Sequence, residues 1–201
     1  MKSIKKLMLP LTVSAFALLL AACQSPIEQK EISFASDNYW TLMQDKLKTV
    51  KNLNLKGRIG IQNPQGRMSA NYIYNLKNDA YTLELISSLG SQIGKLTADK
   101  NEAKLIINGK VYTSNDGESL IKEIYGLSLP VNDLKDIMLG IPQGMALKDS
   151  SGKYQSAVIA GFLVEYQKFA DFNNYALPTD YQISNEDTLL KVRLNEVLTI
   201  N

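Results

Sequence analysis

The sequence of 201 residues contains no histidine and only one cysteine, Cys23. These absences exclude Ser-His-Asp and Cys-His nucleophilic sites, histidine-ligated metals, zinc clusters and internal disulfides. The chain also has little net charge. The formal net charge is +2, and removing residues 1–22 leaves 19 basic and 20 acidic residues. A nearly neutral chain offers no broad positive field for nucleic acid. The 45% hydrophobic content is nevertheless sufficient for one domain with a sizeable core.

The N-terminal segment has the layout of an export signal. Three lysines precede an apolar run from Leu7 to Leu20, and the small residues Ala21 and Ala22 follow. This order predicts a secretory signal peptide over residues 1–22. The run is shorter than the roughly 20 apolar residues that a membrane-spanning helix needs, so we expect export with cleavage.

The tetrapeptide Leu20-Ala21-Ala22-Cys23 resembles the lipobox of bacterial lipoproteins. The resemblance implies that Cys23 becomes the first mature residue and carries an S-diacylglycerol and an N-acyl group, with no other cofactor. Three acyl chains are enough for stable membrane anchoring. Because Gln24, not aspartate, follows the cysteine, the resemblance implies the outer membrane of a Gram-negative bacterium. The alternative is an ordinary signal peptide that happens to contain a cysteine.

Residues 23–37 are predicted to be a flexible lipidated tether, and residues 38–201 a single domain. A helix is expected near the start of this domain, because Trp40, Met43 and Leu47 recur at helical spacing. After Leu53 the apolar period falls to two, which predicts strands. The expected strands are Leu53–Gln62, Arg67–Leu76, Ala80–Ser87, Gln92–Asp99, Ala103–Asn108, Lys110–Ser114, Gln155–Ile159, Phe162–Lys168, Asp180–Ser184 and Thr188–Leu194.

Short connections between these strands predict antiparallel pairing, and Asn108-Gly109 is typical of a type I′ hairpin turn. Two short helices with apolar faces are expected at Gly117–Tyr125 and Val131–Leu139. The predicted fold class is therefore mainly β (α+β), with one curved sheet and helices on one side. Periodicity leaves open a closed barrel filled by side chains or an open barrel with a cavity.

Several segments, taken in order, resemble the LolB family of outer-membrane lipoprotein receptors. Together they span most of the mature chain. They are Leu55-Lys56-Gly57-Arg58-Ile59-Gly60-Ile61, Ser69-Ala70-Asn71-Tyr72, Tyr81-Thr82-Leu83-Glu84-Leu85, Ser88-Leu89-Gly90, Tyr125-Gly126-Leu127-Ser128-Leu129-Pro130-Val131, Leu139-Gly140-Ile141-Pro142, Val164-Glu165-Tyr166, Leu177-Pro178 and Leu190-Lys191-Val192-Arg193-Leu194.

The resemblance implies an open, incomplete antiparallel barrel with an N-terminal helix and short helices that form a lid over an apolar cavity. It also implies a monomer without enzymatic activity that faces the periplasm. Such a protein receives acylated lipoproteins from the periplasmic carrier LolA and inserts them into outer-membrane lipid. Three alternatives remain at this point: a carrier of the same fold with other cargo, a structural lipoprotein with a filled barrel, and an enzyme.

The loop Ser87–Ser91 places Leu89 alone among small residues between two predicted strands. An exposed leucine could enter lipid or a partner, with about 1.5–3 kcal/mol gained on burial. The alternative is a leucine folded back over the barrel rim. In the LolB family the matching position is a protruding leucine that passes cargo to the membrane, so the resemblance assigns that role to Leu89.

Apolar stripes on the second and third predicted strands and on the two short helices are candidates for a cavity lining. An ordinary filled core is the alternative, and the resemblance favours the cavity. The candidates are Met68, Ala70, Tyr72, Tyr74, Tyr81, Leu83, Leu85, Leu120, Ile124, Leu134 and Met138. The one helical pair of carboxylates, Asp133 and Asp136, is interpreted as stabilising a helix N-terminus and not as a hydrolytic pair. No catalytic residue and no metal site is predicted.

Overall fold

The computed structural model describes residues 26–30 and 37–201. Within these residues the chain forms three helices, α1 (Asp37–Lys48), α2 (Gly117–Tyr125) and α3 (Leu134–Leu139). The strands are β1 (Gln29–Lys30), β2 (Asn52–Asn63), β3 (Gly66–Lys77), β4 (Ala80–Ile86), β5 (Gln92–Ala98), β6 (Ala103–Ile107), β7 (Lys110–Ser114), β8 (Ala146–Lys148), β9 (Tyr154–Ile159), β10 (Phe162–Phe172), β11 (Tyr175–Ser184) and β12 (Leu189–Ile200).

All of these strands belong to one antiparallel sheet made of two meanders. The order along the sheet is β7-β6-β5-β4-β3-β2-β12-β11-β10-β9-β8, and β1 pairs separately with β10. The two meanders meet where β2 pairs with β12, from Leu53 opposite Ile200 to Gln62 opposite Leu189, with register shifts after Leu194 and after Val197. Among the described strands no pairing joins β7 to β8, so the curved sheet is an open barrel. The predicted fold class is confirmed.

The inward residues of each strand and the apolar faces of the helices form one core. Trp40 in α1 packs edge-on against the ring of Phe169 in β10, with ring centroids 5.3 Å apart. Gln44 of the same helix donates a hydrogen bond to the carbonyl oxygen of Gly140 at 3.0 Å. These contacts join the N-terminal helix, the end of α3 and the second meander.

The predicted strand and helix bounds need several corrections. β10 continues to Phe172, β11 begins at Tyr175, and β12 continues to Ile200. The start of β11 lacks alternation because Ala176, Leu177 and Thr179 are all buried, since helices cover the face that would otherwise meet solvent. The third helix begins at Leu134, not at Val131, and the short strands β1 and β8 were not predicted.

Gly57 allows the two meanders to approach closely. It lies opposite Leu194 in β12 and opposite Tyr72 in β3. A Cβ atom at this position would lie 2.6 Å from the Tyr72 ring and even closer to the Arg193 carbonyl oxygen. The Tyr72 ring, only 2% exposed, therefore covers a backbone that must remain without a side chain.

Asp116 fixes the start of α2. Its carboxylate accepts a hydrogen bond from the Ser119 amide at 2.7 Å and another from the Asn132 side chain at 2.6 Å. Hydrogen bonds from the Ser119 side chain and the Asn132 side chain, together with the Ser119 amide, lower the pKa of Asp116 to about 2. They also tie the N-terminus of α2 to the segment that leads into α3.

We predict that Gly57→Ala lowers the free energy of unfolding by about 1–3 kcal/mol, because the new methyl group overlaps backbone and ring atoms. The matched control is Gly60→Ala in the same strand, where a Cβ atom would meet nothing within 4 Å. This change should be neutral or stabilise by about 0.5–1 kcal/mol, since alanine is less flexible in the unfolded chain. Equilibrium urea unfolding measures both, and equal effects would contradict the steric role.

We predict that Asp116→Ala costs about 1 kcal/mol of stability at neutral pH through loss of the helix cap. Because folding lowers the pKa of Asp116 below the ordinary value of 3.8, its contribution is complete above about pH 4 and disappears as the pH falls towards 2. The difference between the two proteins should therefore shrink in urea titrations from pH 5 to pH 2. Asp133→Ala is the control, since the Asp133 side chain does not cap α3. If Asp133→Ala lowered the free energy of unfolding as much as Asp116→Ala does, the capping argument would be refuted.

Candidate functional site

An apolar cavity of about 90 Å³ lies between the first meander and the elements that cover it. Its floor comes from β2 to β6, and its cover is α2 together with the segment Tyr125–Val131, called the cover segment below. The volume is below the roughly 300–1,000 Å³ of sites that enclose a small-molecule ligand. The lining residues are Ile61, Met68, Leu83, Leu85, Ile93, Gly94, Leu96, Leu105, Ile121, Tyr125, Leu127, Leu129 and Val131.

The structure brings only three of the predicted lining residues to this cavity: Met68, Leu83 and Leu85. Tyr74 and Tyr81, with ring centroids 5.9 Å apart, line a different cleft. The remaining candidates pack into the core, and none of them lines this cavity. Ala70, Tyr72, Leu120, Leu134 and Met138 are buried there, and Ile124 is half-buried against it.

Ten of the thirteen lining residues were not predicted, and five of these ten come from the cover. Tyr125, Leu127, Leu129 and Val131 recur at every second position, yet only Tyr125 belongs to a helix and none to a strand. This alternation is the signal of an extended segment with one apolar face. The alternation was present in the sequence. It does not, however, indicate which strands such a segment covers.

The loop between β4 and β5 presents Leu89 to solvent. Ser87 accepts hydrogen bonds from the backbone amides of Gly90, through its carbonyl at 3.0 Å, and of Ser91, through its hydroxyl at 3.1 Å. Gly90 adopts a φ of +84°, which a residue with a side chain rarely does. The Leu89 side chain is 93% exposed, so it is not folded back over the rim.

This loop stands at one end of the apolar cavity. Leu85, four residues before Leu89, and Ile93, four residues after it, both line the cavity. Met68, also in the lining, is 41% exposed. The two strands that carry the exposed loop therefore also line the cavity.

A second cleft, polar and of about 390 Å³, lies beside the N-terminal end of α2. Its walls include Asn132, Lys135 and the ion pair between Lys100 and Asp79, whose side-chain atoms lie 2.8 Å apart. The Tyr81 hydroxyl is buried here and has no hydrogen-bond partner among the residues that the structure describes, and burial raises its pKa. The helix α2 thus has a polar cleft at its first turn and the apolar cavity at its last.

The carboxylate pair interpreted above as stabilising a helix N-terminus lies at the start of α3, where Asp133 makes no side-chain cap and Asp136 falls in the first turn. Asp133 and Asp136 both accept hydrogen bonds from the Gln143 side-chain amide. Among residues 26–30 and 37–201, no group of three or more acidic, histidine or cysteine side chains is placed to bind a metal ion. Cys23, the predicted lipidation site, lies outside the described residues.

The helices found in the described part of the chain are all too short or too polar to cross a bilayer.

Comparison with known proteins identifies relatives over nearly the full length. The model of the family "Outer membrane lipoprotein LolB" matches residues 51–196. The chain is 27% identical over 192 residues to an outer-membrane lipoprotein LolB from Aeromonas hydrophila, covering 94% of this chain and 96% of that protein. It is 28% identical over 187 residues to one from Sodalis glossinidius, covering 89% and 91%.

A solved structure shares the fold. The crystal structure of a LolA superfamily protein from Nitrosomonas europaea superimposes with a TM-score of 0.52 and 7% sequence identity, covering 82% of this chain and 93% of that one. With the family match over residues 51–196 and the open barrel described above, the chain belongs to the LolB family of outer membrane lipoproteins.

Proposed function

We propose that this protein is a lipid-anchored receptor on the periplasmic side of the outer membrane, which takes lipoproteins from the carrier LolA and inserts them into the membrane. The observation that carries the proposal is the apolar cavity with an exposed leucine loop at its end. Membership of a family of outer membrane lipoproteins supports the compartment and a role in lipoprotein localisation. The role requires no catalysis.

The cavity suits the acyl chains of an incoming lipoprotein. Its walls are almost entirely apolar side chains, and an apolar surface removed from water gains about 25 cal/mol per Å². At about 90 Å³ the cavity takes only a short part of one acyl chain, so loading requires the cover segment to move away from the sheet. Leu127 and Leu129, which are only half-buried, would exchange their contacts with the strands for contacts with cargo.

Transfer in one direction needs a graded affinity. The receptor must bind acyl chains more tightly than the carrier does and less tightly than the bilayer does, and each 1.4 kcal/mol gives a tenfold bias. Leu89 is placed to enter or disturb the bilayer while the cavity beside it releases its contents. Cys23, with its S-diacylglycerol and N-acyl groups, would keep the receptor at the membrane.

The small closed cavity also favours a second candidate, a structural lipoprotein whose barrel stays filled. The two functions differ in whether the interior accepts an acyl chain. A carrier of the same fold with other lipid cargo is distinguished from the receptor by its partner.

We predict that the soluble mature chain carrying Cys23→Ala takes labelled lipoprotein from loaded LolA, because the cavity and not the anchor holds the cargo. The two proteins are separated after mixing and the label on each is counted. Label that stays on LolA while an apolar fluorescent probe still binds this protein would indicate other cargo. If this protein takes neither the labelled lipoprotein nor the apolar probe, the result would indicate the filled barrel.

We predict that Leu89→Glu leaves acceptance of cargo from LolA within about twofold and lowers delivery to vesicles at least tenfold. A charged side chain in place of leucine would forfeit the roughly 1.5–3 kcal/mol of apolar burial in lipid. The matched control is Leu42→Glu, a change at another exposed leucine, on α1. Leu42→Glu should leave both the acceptance and the delivery of cargo normal. If Leu89→Glu also delivered cargo normally, the loop would have no part in the mechanism.

A further inference from the structure

The short segment Pro26–Lys30 is docked on the barrel by backbone contacts. The Ile27 amide donates a hydrogen bond to the Val197 carbonyl oxygen of β12 at 2.7 Å. Two residues later β1 pairs with β10, with Gln29 opposite Phe172 and Lys30 opposite Asp171. The Ile27 side chain is half-buried against the core. The segment therefore bridges two strands of the second meander.

The docking site is at the end of the sheet away from the Leu89 loop. Register across the sheet places Val197 level with Leu55, then Tyr74, then Leu83 in β4. Leu89 follows Leu83 by six residues: the strand continues for three of them, about 10 Å at roughly 3.3 Å per residue, and Leu89 lies beyond its end in the turn. The Asn173–Asn174 turn lies next to the docked segment, and the Asn63–Gly66 turn lies at the Leu89 end.

The docked segment limits the reach of the anchor. Cys23 precedes Ile27 by four residues, which span at most about 14 Å when extended. Reaching the level of Leu89 from the docking site uses most or all of that span, so docking disfavours a barrel that stands with its Leu89 end on the membrane. If the segment is released, the fourteen residues from Cys23 to Asp37 span up to about 50 Å.

We propose that Pro26–Lys30 is a reversible latch that sets which end of the barrel faces the membrane. Docked, it holds the Leu89 end and the cavity beside it towards the periplasm, where cargo arrives. Released, it lets the barrel turn so that Leu89 reaches the bilayer that holds Cys23. The inference rests on the proposed function in one respect, the lipidation of Cys23.

The contacts are few enough for release to be reversible. Within residues 26–30 and 37–201, two ladder pairs and one further backbone hydrogen bond hold the segment, whereas β2 and β12 pair along nearly their whole length. Ordering the backbone of these residues opposes the gain from such contacts. Glu28, Gln29 and Lys30 are exposed, so Ile27 supplies most of the apolar contact.

A reducible cross-link tests the latch in the lipidated protein. Lys30→Cys with Asp171→Cys places two thiols on opposed antiparallel residues, whose Cα separation of about 4.5–5.5 Å suits a disulfide. Cys23 is the only native cysteine and its sulfur is alkylated in the lipoprotein, so no other thiol competes. The reduced form of the same variant is the reference for any effect of the substitutions themselves.

With this variant anchored in vesicles, we expect oxidation to leave uptake of labelled lipoprotein from LolA within about twofold and to slow its delivery into vesicle lipid at least fivefold. Dithiothreitol should restore delivery. Two controls are matched. The first is the same cysteine pair in the soluble Cys23→Ala chain, which has no anchor for the cross-link to restrain. The second is Asn52→Cys with Lys77→Cys in the anchored protein, which cross-links β2 to β3 at the same end of the sheet. Oxidation should change delivery less than twofold in both controls.

A second readout needs no cargo. Leu89→Trp is added to the anchored variant in vesicles of brominated phosphatidylcholine, where Trp40, 4% exposed, supplies a constant background. Quenching of the new tryptophan should be at least threefold greater in the reduced than in the oxidised state. Equal quenching, or equal delivery by oxidised and reduced protein that both take up cargo, would overturn the latch. Failure of the reduced protein to take cargo, with redox-dependent quenching intact, would overturn the receptor function and support the latch.

Discussion

The pairing of β2 with β12 is the constraint on which the rest of the structure depends. Each meander by itself is an open ribbon with two free edges, and this one ladder joins them into a sheet long enough to curve around a core. The pairing requires a glycine at position 57, because the Arg193 carbonyl and the Tyr72 ring occupy the space of a side chain. The position of every cavity residue relative to the docked N-terminal segment follows from this ladder.

The helices between the meanders turn this sheet into a site with two different environments. Asp116 begins α2 and links it to Asn132, so the helix is held at its polar end. At the other end, Gly126 ends the helix with a φ of +67° and the chain continues as the extended cover segment. The helix is fixed where the interior is polar, and its continuation lies over the apolar cavity where lipid would enter.

Local patterns predicted most of the first meander and the covering helix. Alternation located β2 to β7 to within two residues, and Asn108 and Gly109 both adopt the positive φ expected of a type I′ turn. The lining was predicted less well: Tyr72 and Ala70 share a strand face with Met68, but the cavity lies only at the Met68 end of that face. An apolar stripe along a strand does not indicate at which residue the neighbouring element stops packing against it.

By itself the sequence determined the strand and turn pattern and the isolated leucine at position 89, because each depends on residues close together in the chain. Only the tertiary structure decided that β2 joins β12, that α2 and the cover segment leave about 90 Å³ beneath them, and that Ile27 docks on Val197 at the end away from Leu89. These features depend on the register and packing of segments that are not neighbours in the chain, which no local periodicity encodes.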